Sequence, residues 1–129
     1  MLGGENEKVV RYLVDAINRH DVEAVLDLCT DDVVVIYSNL RRLYKEEYGT
    51  DLAHEWETIP DTSLQIMSLI SNGDIVVLEW YWKGTRTGEY HGRPATNKMY
   101  EAPGVFIIEL EKGKIKLVKY YWNPALARI

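Results

Sequence analysis

Gly84-Thr85-Arg86-Thr87-Gly88-Glu89-Tyr90-His91-Gly92-Arg93-Pro94-Ala95-Thr96-Asn97-Lys98 joins two long apolar runs. Glycines at 84, 88 and 92 and Pro94 exclude a helix, so one strand leaves the sheet here and the next returns. On the N-terminal side Ile75–Thr85 reads as a strand. Ser71-Asn72-Gly73-Asp74 before it is a hairpin signal that folds it onto a strand over 62–70. On the C-terminal side a strand from about Lys98 to Leu110 ends at Glu111-Lys112-Gly113-Lys114, and a last strand covers 115–123.

The first half of the chain is helical. From Glu7 to Arg19 the apolar residues Val9, Val10, Leu13, Val14, Ala16 and Ile17 recur every three or four positions, with Asn6 as the predicted N-cap. Asp21 caps a second short helix that buries Ala24, Val25, Leu28 and Cys29. Val33–Tyr37 is a β-branched strand. A third helical segment covers 40–57 through Leu40, Leu43, Tyr44, Leu52, Ala53 and Trp56, with Gly49 as a break, and Ile59-Pro60-Asp61 ends it. Helices followed by a run of antiparallel strands predict an α+β fold over residues 1–129, one domain, with helices on one face of a bent sheet. Such an arrangement encloses a small-molecule pocket.

Composition narrows the partners. The 20 acidic and 15 basic side chains leave a formal charge of −5, against nucleic acid or an anionic membrane as partner. One cysteine, Cys29, excludes an internal disulfide; among Val25, Leu26 and Leu28 it reads as a buried thiol. No stretch approaches the roughly 18 apolar residues of a membrane span, and the N-terminus has no secretory h-region, so a cytoplasmic location is expected. The three histidines lack metal-ligand spacing and no phosphate loop is present, so no cofactor is implied. Nine Tyr and four Trp against one Phe are rings with a polar edge, suited to a partly wet cavity or interface.

Several motifs together resemble one family. These are Asn18-Arg19-His20-Asp21, Asp31-Asp32-Val33, Ile59-Pro60-Asp61 (close to a Phe-Pro-Asp turn) and Gly113-Lys114-Ile115 with Tyr121-Trp122-Asn123. The most specific is Gly84-Thr85-x-Thr87-Gly88-Glu89-x-x-Gly92-x-Pro94-x-Thr96-x-Lys98. The chain resembles the SnoaL-like proteins of the NTF2-like superfamily, a cone-shaped α+β fold. That resemblance implies cyclases that close a polyketide ring by an intramolecular aldol reaction; the wider superfamily holds ketosteroid isomerases, epoxide hydrolases, dehydratases and non-catalytic domains. It places the cyclase aspartate at Asn123 and the assisting histidine at Arg86. An amide and a permanently charged guanidinium cannot exchange a proton with substrate near neutral pH.

The candidate catalytic residues are therefore Asn123 and Arg86, as stabilisers of oxygen charge, with His54 or an unrecognised carboxylate moving the proton. Candidate ligand-binding residues are Tyr37, Trp80, Trp82, Tyr121 and Lys119. Trp80 and Trp82 share a strand face with Arg86 and would line the cavity; Tyr121 and Lys119 share one with Asn123. Trp122, Tyr120 and Val118 would cover the convex face, where a homodimer forms. Tyr37-Ser38-Asn39 resembles the Tyr-x-Asn of limonene-epoxide-hydrolase-like members, but their Asp-Arg-Asp set falls on Trp80, Trp82 and Asn123 here.

Each assignment has a plainer alternative. Arg86 would be a solvated strand end or pair with Glu89, His54 a helix-surface histidine, Lys119 an ion-paired strand lysine, and the tryptophans core filling. His20 reads as a helix-junction cap, His91 as solvent-exposed, and Glu101 as an acid whose direction a bulge near Pro103-Gly104 leaves open. Three functions compete: an isomerase or cyclase acting on a hydrophobic, cyclic or polyketide-like molecule, a binding domain that has lost its acid–base pair, and a dimerisation module.

Overall fold

A computed structural model describes residues 2–89 and 92–123. Three helices, α1 (Leu2–Asn18), α2 (Val22–Asp27) and α3 (Lys45–Thr58), accompany six strands. The strands are β1 (Cys29–Ile36), β2 (Arg42–Tyr44), β3 (Ser63–Asn72), β4 (Ile75–Thr85), β5 (Met99–Glu111) and β6 (Lys114–Trp122). They form one sheet in the order β2-β1-β6-β5-β4-β3, antiparallel except for the β1–β6 pair. The sheet curls into an unclosed cone around the helices, the α+β architecture the element order predicts. No helix among the described residues is long and apolar enough to cross a membrane.

Strand alternation builds the core. On β4 the residues Val76, Leu78, Trp80 and Trp82 are buried, and across from them on β5 lie Ala102, Gly104, Phe106 and Ile108. Trp80 pairs with Gly104, where a Cβ would come within 2.3 Å of the indole. The glycine is the space that the ring occupies. Bulges bend the long strands, one between Ile66 and Ser68 on β3 and another where Glu109-Leu110 of β5 meets Leu117 and Ile115 of β6.

α1 buries Val10, Leu13, Val14, Ala16 and Ile17. It ends with His20 at φ 56°, as Asp21 N donates to Ala16 O and His20 N to Ile17 O, which is a Schellman cap. Asp21 then accepts from Ala24 N to start α2. Asn6 is not an N-cap, because α1 begins four residues earlier. Its buried amide instead donates to Gly73 O in the β3–β4 turn.

The third helical segment is shorter at its start than its spacing predicts. Residues 42–44 pair with β1 as an edge strand, and Leu40, at φ 70° and 80% exposed, sits in the turn before it. The sheet edge offered by β1 outweighs the three-residue apolar spacing. Nor is Gly49 a break: α3 runs through it, and a Cβ there would stand 2.9 Å from Leu26 Cδ1 of α2. Beyond α3, Asp61 accepts from Thr85 N and Oγ1 at 2.6 and 2.8 Å, while Thr87 N and Gly88 N donate to Thr58 O. The glycine-rich segment is thereby clamped to the end of α3.

Candidate functional site

Between the helices and the inner sheet face lies a cavity of about 340 Å³. Its floor is a continuous run of rings: Trp82, Trp122, Trp80, Phe106, Tyr120 and Tyr37, each 4.5–6.4 Å from the next by centroid. Asp51, Leu52 and Glu55 of α3 form the roof, and Ser38, Asn39 and Arg41 of the β1–β2 turn stand at one side.

Asp51 and Glu55 are one helical turn apart and so share the inward face of α3. Asp51 is held: Tyr37 Oη donates to Oδ2 at 2.7 Å, and Arg41 Nη1 lies 3.6 Å from Oδ1. Glu55 has no such support; among the described residues no side chain donates to its carboxyl. Burial first, and then the negative charge of Asp51, push Glu55 up from 4.5 to about 7. It therefore changes charge near neutral pH while facing an apolar, aromatic space. Beside it the Tyr120 and Tyr48 hydroxyls share a 2.8 Å hydrogen bond, with Tyr48 fully buried behind. Burial pushes the Tyr37, Tyr48 and Tyr120 phenols above their ordinary pKa, so all three remain neutral hydrogen-bond donors.

Trp80, Trp82 and Tyr37 line the cavity. The last strand is set in the opposite phase to the one expected. Ile115 faces inward, but the bulge at Lys116 adds a residue, so Val118, Tyr120 and Trp122 follow it inward. Tyr121 is 51% exposed on the outer face, paired with Val105, and Lys119 is there too, paired with Ile107. The innermost position at the end of β6 belongs to Trp122, while Asn123 is exposed and outside the lining. His54 lies half-buried on α3, one residue from Glu55 and off the cavity wall.

Arg86 is neither solvated nor paired with Glu89: it is 3% exposed and, among the described residues, without an ion-pair partner. Glu101 is exposed on the outer face. His20 stacks on Trp56 at 4.9 Å and donates from Nε2 to Thr62 O, and His91 lies outside the described residues. Burial pushes the Cys29 thiol up to about 11, which keeps it protonated and unreactive. Among the described residues no cluster of three or more His, Cys, Asp or Glu could hold a metal ion.

Sequence reasoning missed Asp51, Glu55, Tyr48 and Tyr120. The first two carried a usable signal, since they flank Leu52 on the same helix arc as Tyr48 and Ile59. Tyr120 was hidden by the bulge.

The sequence matches the family described as SnoaL-like polyketide cyclase over residues 7–127. The chain belongs to that family. No curated protein is detectably similar in sequence. Among solved structures, a proposed SnoaL-like polyketide cyclase from Jannaschia sp. CCS1 superposes with a TM-score of 0.88 at 19% identity, covering 99% of this chain and 95% of that one. AclR, a proposed hydroxylase from Streptomyces galilaeus, gives 0.86 at 20% identity over 95% and 92%. A Catenulispora acidiphila protein with a ketosteroid isomerase-like fold, solved with trimethylamine, gives 0.80 at 15% identity over 92% and 88%. At these identities the likeness shows a shared fold.

Proposed function

We propose that this SnoaL-like protein is an enzyme of the isomerase or cyclase type that moves a proton next to a carbonyl of a hydrophobic, cyclic or polyketide-like molecule. One observation carries the reading: Glu55, a carboxyl without a side-chain donor among the described residues, faces an aromatic cavity beside the Tyr120–Tyr48 hydroxyl pair. Glu55 as carboxylate takes the proton from a carbon α to a substrate carbonyl. Tyr120 Oη donates to the enolate oxygen as its charge develops, with Tyr48 fixing the orientation of that hydroxyl. In a cyclisation the enolate carbon bonds to a second carbonyl carbon, and protonated Glu55 returns its proton to the resulting alkoxide. In an isomerisation the same proton goes to a different carbon. Burial, and after it the charge of Asp51, holds Glu55 near neutrality, while Tyr37 and Arg41 fix the position of Asp51.

A cavity lined only by amides, rings and the arginine would favour the binding-domain alternative; Asp51 and Glu55 both line this one, which supports the enzyme. Deuterium exchange at the α-carbons of 2-tetralone, followed by NMR in D₂O, tests the reading. The wild type accelerates exchange and Glu55→Gln does not; binding without exchange would favour the non-catalytic domain. A homodimer in this reading forms through the outer sheet face at Val105, Ile107 and Tyr121, and Ile107→Lys would make it monomeric in light scattering.

A further inference from the structure

Three nitrogen donors on the inner-facing positions of β4 and its extension have no acceptor among the described residues: Trp80 Nε1, Arg86 Nε and Arg86 Nη1 are buried without hydrogen-bond partners. Arg86 continues the inward phase of Trp80, Trp82 and Gly84, held by backbone bonds from Arg86 N to Lys98 O and from Asn97 N to Arg86 O. Gly84, the inward position before it, abuts the cavity wall. A Cβ there would stand 2.3 Å from Ile59 Cγ2, 3.1 Å from Trp82 Cζ2 and 3.5 Å from Thr62 Oγ1, all three residues of the lining. Arg86 therefore lies next to the Ile59–Trp82 end of the cavity, one inward step beyond its lining. Trp80 cannot swing to find a partner, because its ring is packed against Gly104.

A guanidinium keeps its charge at every relevant pH, and burying two of its nitrogens without acceptors is unfavourable. The arrangement is complete only when an acceptor with negative charge arrives. Glu89, the carboxylate nearest in sequence, is exposed and not paired with it. We infer that the ligand of this cavity is a ring compound bearing an acidic oxygen group, a carboxylate or acidic enol, received by Arg86 at the Ile59–Trp82 end, with Trp80 Nε1 donating to a neutral carbonyl. This deepens the proposed function and rests on the cavity being the ligand site. Asp51 and Glu55 at the roof repel an anion, and Arg41 is already engaged with Asp51. Any preference for an acid over its neutral analogue thus comes from Arg86.

The test is calorimetric titration of the intact protein at pH 8 with 2-naphthoate and with 2-naphthamide, which differ in charge but hardly in shape. Wild type binds the naphthoate about tenfold more tightly or better, and Arg86→Met abolishes that preference while leaving naphthamide affinity within about threefold. Arg86→Gln gives a second variant of similar size, and the wild-type protein alone supplies a third readout: naphthoate raises Tm more than an equal concentration of naphthamide. Equal affinity of the wild type for both probes overturns the inference, as does a preference that survives both substitutions. If neither probe binds the wild type, the cavity reading falls and the inference with it; naphthamide binding without an acid preference removes only the role of Arg86.

Discussion

Tyr37 Oη donates to Asp51 Oδ2 across 2.7 Å, tying the residue after β1 to the middle of α3. The bond fixes one carboxyl beside a second, Glu55, to which no side chain among the described residues donates. Two acids one turn apart are thus given different environments, which is how a protein separates the roles of like groups.

Asp51→Asn removes the negative charge that helps raise Glu55. The Glu55 midpoint should fall below about 7 toward its ordinary 4.5, with burial alone keeping it from going the whole way. Where exchange or turnover rises with pH as Glu55 ionises, that limb moves to lower pH in the variant. An unmoved limb would mean that Asp51 does not act on Glu55.

Glu55 also sets a pH dependence of stability. Between 4.5 and about 7 the folded protein holds a proton on Glu55 that the unfolded chain has lost, so this group's contribution to stability is full below 4.5 and is lost as pH rises through 7. Glu55→Gln cannot ionise. It should match the wild type near pH 4.5 and exceed it at pH 8 by on the order of 2–3 kcal/mol, read from urea unfolding at the two pH values. The same variant should lose roughly 10²–10⁴-fold in turnover, so stability and activity move in opposite directions.

The fold was legible wherever the signal is local. Ser71-Asn72-Gly73-Asp74 dictates a hairpin by its own backbone preferences, and the Val10–Ile17 spacing marks the buried side of α1 without reference to anything distant. Two features failed because they depend on partners. Residues 42–44 become a strand only because β1 offers an edge, and the face presented by β6 is decided by one extra residue, Lys116, opposite β5. The site inherited that error: Tyr121, Lys119 and Asn123 were expected inside, whereas Tyr120 and Trp122 line the cavity. His54 is the sequence candidate for moving the proton, but burial brings Glu55 beside it to about 7, and burial is a tertiary quantity that composition does not carry.

The hydroxyl pair predicts an asymmetry. Tyr120→Phe strands the Tyr48 hydroxyl in the core and should cost about 1–3 kcal/mol, whereas Tyr48→Phe leaves Tyr120 facing a cavity where water or ligand can pair with it and should cost less. Turnover should drop more for Tyr120→Phe, about 10²-fold, because it removes the donor to the enolate oxygen itself. Equal losses in both properties would argue against a direct role for Tyr120.

Gly104→Ala puts a methyl group into the Trp80 ring and should destabilise by about 1–3 kcal/mol. Since Trp80 must shift into the cavity to relieve the clash, affinity for bicyclic ligands should fall as well. Unchanged calorimetric binding of 2-tetralone would show that the cavity does not depend on this ring.

The account depends above all on one carboxyl changing charge near neutrality inside an aromatic cavity. Carbon-detected NMR titration of the glutamate side-chain carboxyls, in wild type and Glu55→Gln, measures this directly and requires no substrate. The expected result is a single resonance titrating near 7 that disappears in the variant. A Glu55 resonance titrating at its ordinary 4.5 would contradict the account.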